Sequence, residues 1–256
     1  MAQIKANEAL VKALQTWNID HLYGIPGDSV DAVVDSLRTV RDQFKFYHVR
    51  HEEVASLAAA SYTKMTGKIG VALSIGGPGI VHLLNGMYDA KMDNVPQLII
   101  AGQTNSTLLG TKFFQETNIS KMVDDVAVYH HQIQKGDNVF EITNEAIRTA
   151  YEKKGVSVII CPNDLLTQKI KDTTNRAVDT TKPKPASPKF KSIKKAAKLI
   201  DKAKKPVMLI GLGTQHAKDE LREFIEAAKI PVIHTLPAKT ILPDDHPYSC
   251  LLYTSL

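Results

Sequence analysis

The chain has 256 residues, of which 43% are hydrophobic and 23% charged, and this balance is typical of globular domains and excludes wholesale disorder. The net charge of +5 is local, because residues 169–205 carry thirteen basic and three acidic side chains while the rest of the chain is negative. A basic stretch with a single aromatic residue, Phe190, is typical of a linker and an exposed helix face, so we expect no nucleic-acid partner. The apolar runs are too short to span a membrane, and the first residues lack the pattern of a secretory signal. With only two cysteines the chain cannot form a disulfide framework, so we expect a cytoplasmic protein.

Hydrophobic periodicity predicts helices and strands in alternation through the first part of the chain. A helix comes first, with Leu10, Val11, Leu14 and Trp17 on one apolar stripe. The elements expected after it are a strand at 21–25, a helix around 30–37, a strand at 44–49, a helix at 52–66, a strand at 69–75, a helix at 80–92, a strand at 97–101, a helix at 139–151 and a strand at 156–161. This order predicts an α/β fold with a doubly wound parallel sheet and helices on both faces.

The composition changes after these strands, since residues 162–188 are rich in Thr, Lys and Pro, which is typical of a linker. The alternation then restarts, with a helix at 193–200, a strand at 206–210, a helix at 221–228 and a strand at 232–234. We therefore expect one complete domain at 1–175, a linker at 176–190 and the beginning of a second, truncated α/β domain at 191–249. The last residues, 250–256, read like the translation of a sequencing adapter, and we expect them to be an artefact.

Three acid–base residues, His51, Glu52 and Glu53, stand where a predicted strand gives way to a helix. The carboxyl ends of parallel strands are where ligands bind in such sheets, so this is a candidate functional position. Position alone equally allows a simpler interpretation, since acidic residues in a first helical turn stabilise the positive end of the helix dipole. Both interpretations stay open on these residues alone.

Two glycine-rich turns follow predicted strands and could bring backbone amides close to a ligand. The first, Gly76 to Gly79, lacks the Gly-Lys-Ser/Thr ending of a P-loop and is also compatible with a plain tight connection. The second, Gly211-Leu-Gly213, has His216 where the dinucleotide fingerprint requires its third glycine, so it is weak evidence for a nicotinamide cofactor. His82, early on the next helix, is a further candidate. The sequence contains neither a zinc-ligand spacing nor a Gly-x-Ser-x-Gly elbow.

Several segments together resemble the thiamine diphosphate-dependent enzymes, in which they occur in the same order and at the same spacing. These segments are His21-Leu-Tyr-Gly-Ile-Pro-Gly27, Val49-Arg-His-Glu-Glu-Val54, Thr66-Gly-Lys-Ile-Gly-Val71, Gly77-Pro-Gly79, Leu84-Asn-Gly-Met-Tyr-Asp-Ala90, Asn94-Val-Pro96 and Phe114-Gln-Glu116. The first and the last look like those of the bacterial pyruvate oxidases in particular. The resemblance continues through residues 206–213 and 236–239, and so covers nearly everything before Cys250.

The resemblance implies a longer subunit with three domains. The first, a thiamine pyrimidine-binding domain, holds the aminopyrimidine ring; the second binds FAD; and the third binds the diphosphate through Mg²⁺, so the metal ligands lie outside this chain. The thiamine site forms between the first domain of one subunit and the last domain of another, which implies a homo-oligomer, a dimer or a tetramer. We accordingly expect this fragment to be inactive by itself.

The resemblance also assigns roles to individual residues. Glu52 is expected to hydrogen-bond the aminopyrimidine ring and favour the tautomer that accepts the thiazolium C2 proton, whereas Glu53 is expected to cap the helix. The side chains expected to line the reaction side are His82, Phe114 and Gln115. The residues expected to contact thiamine, besides Glu52, are Gly27, Gly77, Pro78, Gly79 and Asn85. Those expected to contact FAD are Gly211, Leu212, Gly213, Thr235 and Lys239.

The implied activity is oxidative decarboxylation of pyruvate through a thiamine-bound carbanion or enamine, with electrons passed to FAD and then to oxygen or a quinone. A quinone acceptor would imply peripheral contact with the inner face of the cell membrane. Within the same family the alternatives are an acetolactate synthase or a 2-keto acid decarboxylase, against which Phe114-Gln115-Glu116 favours the oxidase. A non-catalytic α/β binding protein is the alternative of another class, and Glu52 beside His51 argues against it.

Overall fold

The computed structural model describes residues 2–183 and 187–250, and the chain folds into two compact units, residues 1–184 and 185–256. The strands of the first unit are β1 (Gln3–Lys5), β2 (His21–Gly24), β3 (Lys45–His48), β4 (Gly70–Ser74), β5 (Gln97–Gln103), β6 (Ala127–Gln132), β7 (Val156–Pro162) and β8 (Lys169–Lys171). Its helices are α1 (Ala6–Thr16), α2 (Asp31–Thr39), α3 (Glu52–Thr66), α4 (Pro78–Met92), α5 (Ile119–Val123), α6 (Val139–Lys153) and α7 (Asn163–Leu166). A short 3₁₀ helix spans Ser106–Leu108.

Six parallel strands form the central sheet in the order β3-β2-β4-β5-β7-β6. The central strands β4, β5 and β7 are buried along their whole length, and a hydrophobic core lies on each side of them. The predicted doubly wound α/β fold is therefore confirmed. Since β2 lies between β3 and β4, the chain reverses its winding direction there, and the crevice at the carboxyl ends of these strands is the favoured ligand position of such a sheet.

Helices α3 and α4 cross in direct contact on one face of the sheet. A Cβ atom at Gly86 of α4 would lie 2.2 Å from Ser56 Oγ and 2.5 Å from the backbone nitrogen of Leu57, so only glycine permits this approach. The hydroxyl of Ser56 in turn donates a 2.8 Å hydrogen bond to the carbonyl oxygen of Leu83 on α4. This crossing fixes the amino-terminal ends of both helices at the carboxyl edge of the sheet.

The segment expected from its composition to be a linker is partly folded. After β7, residues 163–166 form α7, and β8 pairs antiparallel with β1, so the chain is held to the first unit well beyond residue 162. Further along, Lys182 Nζ donates a 2.6 Å hydrogen bond to the carbonyl oxygen of Gly67. The polar composition was misleading because these residues fold against an existing surface and need few apolar groups of their own.

The described part of the second unit contains two parallel strands and two α-helices: α8 (Phe190–Lys202), β9 (Met208–Ile210), α9 (Lys218–Ala228) and β10 (Val232–His234). These elements confirm the predicted alternation, although Leu212–Ala217 forms a 3₁₀ helix where the sequence suggested a simple turn at 211–213. The expected artefact at 250–256 lies outside the described residues except for Cys250, whose N–H donates to the carbonyl oxygen of Val232 at 2.7 Å. Within the described part of the chain, none of the helices combines the length and apolar character needed to cross a membrane.

Candidate active site

Helix α3 begins with Glu52 at the carboxyl edge of the sheet, directly after β3. The residue that caps this helix is His51, whose Nδ1 accepts a 3.3 Å hydrogen bond from the N–H of Glu53. The expectation that Glu53 caps the helix is therefore wrong, because an imidazole one position before the helix provides the acceptor. The carboxylate of Glu53 instead accepts a hydrogen bond from the side-chain amide of Asn85 on α4.

Glu52 and His82 are brought together by the contact between α3 and α4. Glu52 Oε2 lies 2.9 Å from His82 Nδ1, and the Glu52 side chain is 12% exposed while that of His82 is 42% exposed. The ring of His82 also stacks on that of His51, with centroids 4.4 Å apart and 28° between the planes. The site therefore presents a largely covered carboxylate that already has a hydrogen-bonding partner, beside a more accessible imidazole.

The same three side chains have the spacing of a metal site, since ligand atoms of His51, Glu52 and His82 all lie within 4.8 Å of one another. The two rings are stacked, however, so their in-plane lone pairs are held in nearly parallel planes rather than aimed at one point. The arrangement suits a carboxylate held by an imidazole better than a cation held by three ligands.

The glycine-rich turn between β4 and α4 borders the Glu52–His82 pair. Gly77 has φ 60° and ψ −117°, a backbone conformation that favours glycine, and Pro78 is the first residue of α4. A Cβ atom at Gly79 would lie 2.9 Å from Ile75 Cγ1, and one at Gly27, in the loop after β2, would lie 2.7 Å from Ile75 Cγ2. The glycines predicted to contact a cofactor thus converge from two neighbouring strands and pack around Ile75; Gly77 and Gly79 are buried, and Pro78 between them is exposed.

Ser29 contributes a hydrogen bond to this turn that sequence reasoning did not assign to it. Its Oγ accepts the N–H of Gly76 at 3.1 Å, linking the loop after β2 to the loop after β4. The only available signal was its type, a serine just after a strand and before a helix, which sequence patterns interpret most simply as a helix cap. The structure places the cap at Val30 instead.

The segment containing Phe114 and Gln115 also reaches this edge of the sheet. Gln115 has φ 62°, and its carbonyl oxygen lies 2.8 Å from where a Cβ atom at Gly77 would be. Phe114 is 78% exposed. Gln115 is therefore placed at the start of α4, whereas Phe114 extends into solvent beside it.

The residues expected to contact FAD lie at the carboxyl ends of β9 and β10. The N–H of Thr235 donates a 3.0 Å hydrogen bond to the carbonyl oxygen of Ile210, which brings Thr235 next to Gly211. A Cβ atom at Gly213 would have no neighbouring atom within 4 Å. The ammonium group of Lys239 lies 3.5 Å from Asp244 Oδ2. The carboxyl end of β9 in the second unit is therefore open at Gly213, and the Lys239–Asp244 ion pair follows β10 in the chain.

Two family models match this chain. The first, "Thiamine pyrophosphate enzyme, N-terminal TPP binding domain", covers residues 4–122, and the second, "Thiamine pyrophosphate enzyme, central domain", covers residues 193–255. The chain belongs to the thiamine pyrophosphate enzyme family. The predicted family is thereby confirmed, and the candidate site lies within the segment matched by the N-terminal thiamine-binding model.

The curated relatives of this thiamine pyrophosphate enzyme chain are named for more than one activity. The YdaP protein of Bacillus subtilis is 47% identical over 97% of the chain and 43% of its own length. A pyruvate oxidase of Lactiplantibacillus plantarum is 39% identical, and an acetolactate synthase of Mycobacterium leprae 34% identical, each over 95% of the chain. The chain spans 41% and 40% of these two relatives, and so about two fifths of the length of the curated relatives it matches.

The site fits the aminopyrimidine half of thiamine diphosphate. A carboxylate of low exposure, Glu52, is placed to hydrogen-bond a ring nitrogen, and the tight turn at Gly77 starts the helix that carries its partner His82. The hydroxyl, imidazole and carboxylate groups described here do not provide the several oxygen ligands with which Mg²⁺ would hold a diphosphate. The side chains of this site therefore suit the aminopyrimidine ring of the cofactor and not its diphosphate.

Proposed function

We propose that the full-length protein containing this chain is a pyruvate oxidase that uses thiamine diphosphate and FAD. The observation that supports this proposal most directly is the Glu52 carboxylate, 12% exposed and 2.9 Å from His82 Nδ1, at the carboxyl edge of the sheet. A largely covered carboxylate at the carboxyl edge of a parallel sheet suits a ligand with a hydrogen-bonding ring. An enzyme of this class decarboxylates a 2-keto acid, with pyruvate as the proposed substrate.

In this proposal each residue has a definite task. Glu52 holds a proton between its carboxylate and a ring nitrogen of the aminopyrimidine, while His82 keeps the carboxylate oriented through its Nδ1. Gly77 and Gly79 allow the tight turn that places α4, and Gln115 lies against Gly77 at the start of that helix. When bound, thiamine diphosphate supplies the carbon nucleophile for the keto group and accepts the electrons left by decarboxylation.

Oxidation distinguishes the proposed activity from acetolactate synthesis. The open strand edge formed by Gly211, Gly213 and Thr235 supports a flavin nucleotide in the second unit, from which electrons would pass to oxygen or a quinone. A quinone acceptor would place the protein at the inner face of the cell membrane, and an oxygen acceptor would leave it in the cytoplasm. The 34% identity to an acetolactate synthase makes that activity the second candidate. We further propose that the metal and diphosphate ligands come from the last domain of a second subunit, so that the complete site requires a homo-oligomer, at least a dimer.

The experiment is a product analysis of the full-length protein incubated with pyruvate, thiamine diphosphate, Mg²⁺, inorganic phosphate and a soluble electron-accepting dye. We expect dye reduction and formation of acetate or acetyl phosphate, together with the absorption spectrum of bound flavin. Acetolactate without dye reduction would show the second candidate to be correct. Absence of any product with either assay would contradict both.

Two matched variants test the site itself. We expect Glu52→Gln to lower turnover by roughly 10²–10⁴-fold, the usual contribution of a positioned acid–base group. Glu152→Gln, which changes an exposed carboxylate on α6, is expected to leave turnover unchanged. Equal turnover of the two variants at saturating thiamine diphosphate would overturn the role of Glu52.

A further inference from the structure

The loop at residues 110–116 has an unusual backbone. Three of its residues have positive φ angles: Gly110 at 84°, Lys112 at 61° and Gln115 at 62°. Side-chain-bearing residues are rarely found in this conformation and remain in it only where surrounding contacts enforce it. Some group must therefore hold the loop in shape.

The carboxylate of Glu116 provides those contacts. Its Oε1 accepts a hydrogen bond from the N–H of Gly110, and its Oε2 accepts one from the N–H of Phe113 at 3.2 Å. The N–H of Glu116 itself donates to the carbonyl oxygen of Phe113 at 2.9 Å. Backbone N–H groups of the loop, foremost that of Gly110, hold the pKa of Glu116 below its usual range. The loop is therefore wrapped around one ionised side chain.

The end of this loop is attached to the candidate site. Beyond Glu116, the carbonyl oxygen of Thr117 accepts a 2.8 Å hydrogen bond from Gln103 Nε2, at the carboxyl end of β5. Before Glu116, the backbone of Gln115 packs on Gly77, where a Cβ atom would lie 3.0 Å from the Gln115 Cα. Helix α4, which starts just after Gly77, carries His82. A change in the loop would thus move Gln115 relative to the helix that holds the Glu52 partner.

We propose that Glu116 is a positioning residue that fixes Gln115 and Phe114 at the reaction side by gathering the amides of the 110–116 loop on its carboxylate. The role assigned to these two residues rests on the proposed function. The folding of the loop around Glu116 stands on the hydrogen bonds alone. Glu116 itself binds no substrate in this proposal, since its oxygens are taken up by the loop.

The first test measures the loop directly, by amide hydrogen exchange on the 256-residue chain. In Glu116→Ala we expect the amides of Gly110 and Phe113 to lose their protection, while the amides of α6 keep theirs. Glu116→Gln should show an intermediate loss, because its amide retains one acceptor oxygen and turns an NH₂ group toward the second N–H. Glu152→Ala is the matched control and should leave loop exchange unchanged. Unaltered protection of both amides in Glu116→Ala would overturn the proposal.

The second test measures the consequence in the full-length protein. We expect Glu116→Ala to lower kcat by roughly 10–100-fold, as misplacement of groups at a reaction centre does, with a smaller effect on thiamine diphosphate affinity. Glu116→Gln should recover part of that loss. If the loop loses protection while kcat stays at the wild-type value, Glu116 has a structural role only and the proposal is wrong. Failure of the proposed function would be seen separately, as normal turnover of Glu52→Gln.

Discussion

His82 Nδ1 lies 2.9 Å from Glu52 Oε2, although thirty residues separate the two in the chain. The Glu52 side chain is largely covered, whereas His82 is accessible from solvent. A carboxylate held in this way keeps one oxygen oriented by the imidazole and the other available to a ligand. A substitution of His82 is therefore the most direct way to change the orientation of the Glu52 carboxylate.

Removal of the imidazole should therefore impair turnover more than folding. In the full-length protein we expect His82→Ala to lower kcat by roughly 10–100-fold through loss of orientation of Glu52, with a shifted pH profile of kcat. Steady-state kinetics across pH, with thermal unfolding to verify the fold, measure this. His82→Asn, whose amide can donate to the same oxygen, should recover part of the activity. Wild-type profiles for both variants would show that the pair has no catalytic consequence.

Gly77 differs from Gly67 in backbone conformation, with φ 60° and ψ −117° against φ 67° and ψ 6°, as well as in its surroundings. Both have positive φ, but a Cβ atom at Gly67 would meet no atom within 4 Å, whereas one at Gly77 would lie 2.8 Å from the Gln115 carbonyl oxygen. We expect Gly67→Ala to lower the free energy of unfolding by about 1 kcal/mol. Gly77→Ala should cost roughly 1–3 kcal/mol more, or displace the 110–116 loop. Urea denaturation and amide exchange of the loop measure the two effects; equal losses would mean that neither the backbone conformation of Gly77 nor its contact with Gln115 adds a cost.

Asp125 should contribute to stability in a pH-dependent manner. It lies 2.7 Å from Lys91 Nζ and accepts a 2.9 Å hydrogen bond from the Tyr88 hydroxyl, and these contacts, first that of Lys91, lower its pKa. Because the folded-state pKa is depressed, the stabilisation is present above the unfolded value, about 3.9, and is lost as pH falls through the lower folded value. Asp125→Asn should thus lower Tm near pH 7, and the difference from wild type should vanish in acid.

The neighbouring residue Asp124 supplies the control for that measurement. Its side chain is 80% exposed and lies 3.5 Å from His130 Nε2. Asp124→Asn should change Tm less at pH 7, because Asp124 makes one long contact, whereas Asp125, itself 71% exposed, makes two contacts of 2.7 and 2.9 Å. A Tm loss for Asp125→Asn that persists unchanged at acid pH would show that its carboxylate charge is not responsible.

Limited proteolysis should separate the two compact units. Trypsin does not cleave before proline, so Lys182–Pro183 is protected chemically, and the first accessible bonds after it are at Lys189 and Lys191. Helix α8 has no buried residue, so its backbone should open readily. We expect a resistant amino-terminal fragment that ends near residue 189, identified by mass spectrometry. An initial cut at Lys169 or Lys171 would contradict the attachment of β8 to the first unit.

Most of the fold could be predicted from the sequence, because its long elements are strongly patterned. The bounds of α3 and β10 agree with their apolar runs and end signals. The strands that escaped prediction are short or polar: β1 and β8 have three residues each, and β6 contains two adjacent histidines at the edge of the sheet. Their pairing is decided by the neighbouring strand rather than by their own composition.

The site was predictable in position and less so in detail. That Glu52 and the Gly77 turn share one sheet edge follows from parallel topology. The hydrogen-bond partners of Glu53 and Glu116 could not be predicted, because they come from other parts of the fold. Glu53 accepts from a side-chain amide on another helix, and Glu116 accepts from backbone amides of its loop. Such pairings depend on rotamers and backbone angles that spacing does not encode.

The contact of Gly86 with Ser56 has a consequence for engineering this molecule. Because the two helices touch through backbone there, the spacing between Glu52 and His82 is insulated from changes in the surrounding loops. A library aimed at a new substrate could therefore vary the exposed side chain of Phe114 while the acid–base pair remains in register. Conversely, any larger residue at position 86 would push α4 away from α3 and so change that spacing without touching a ligand.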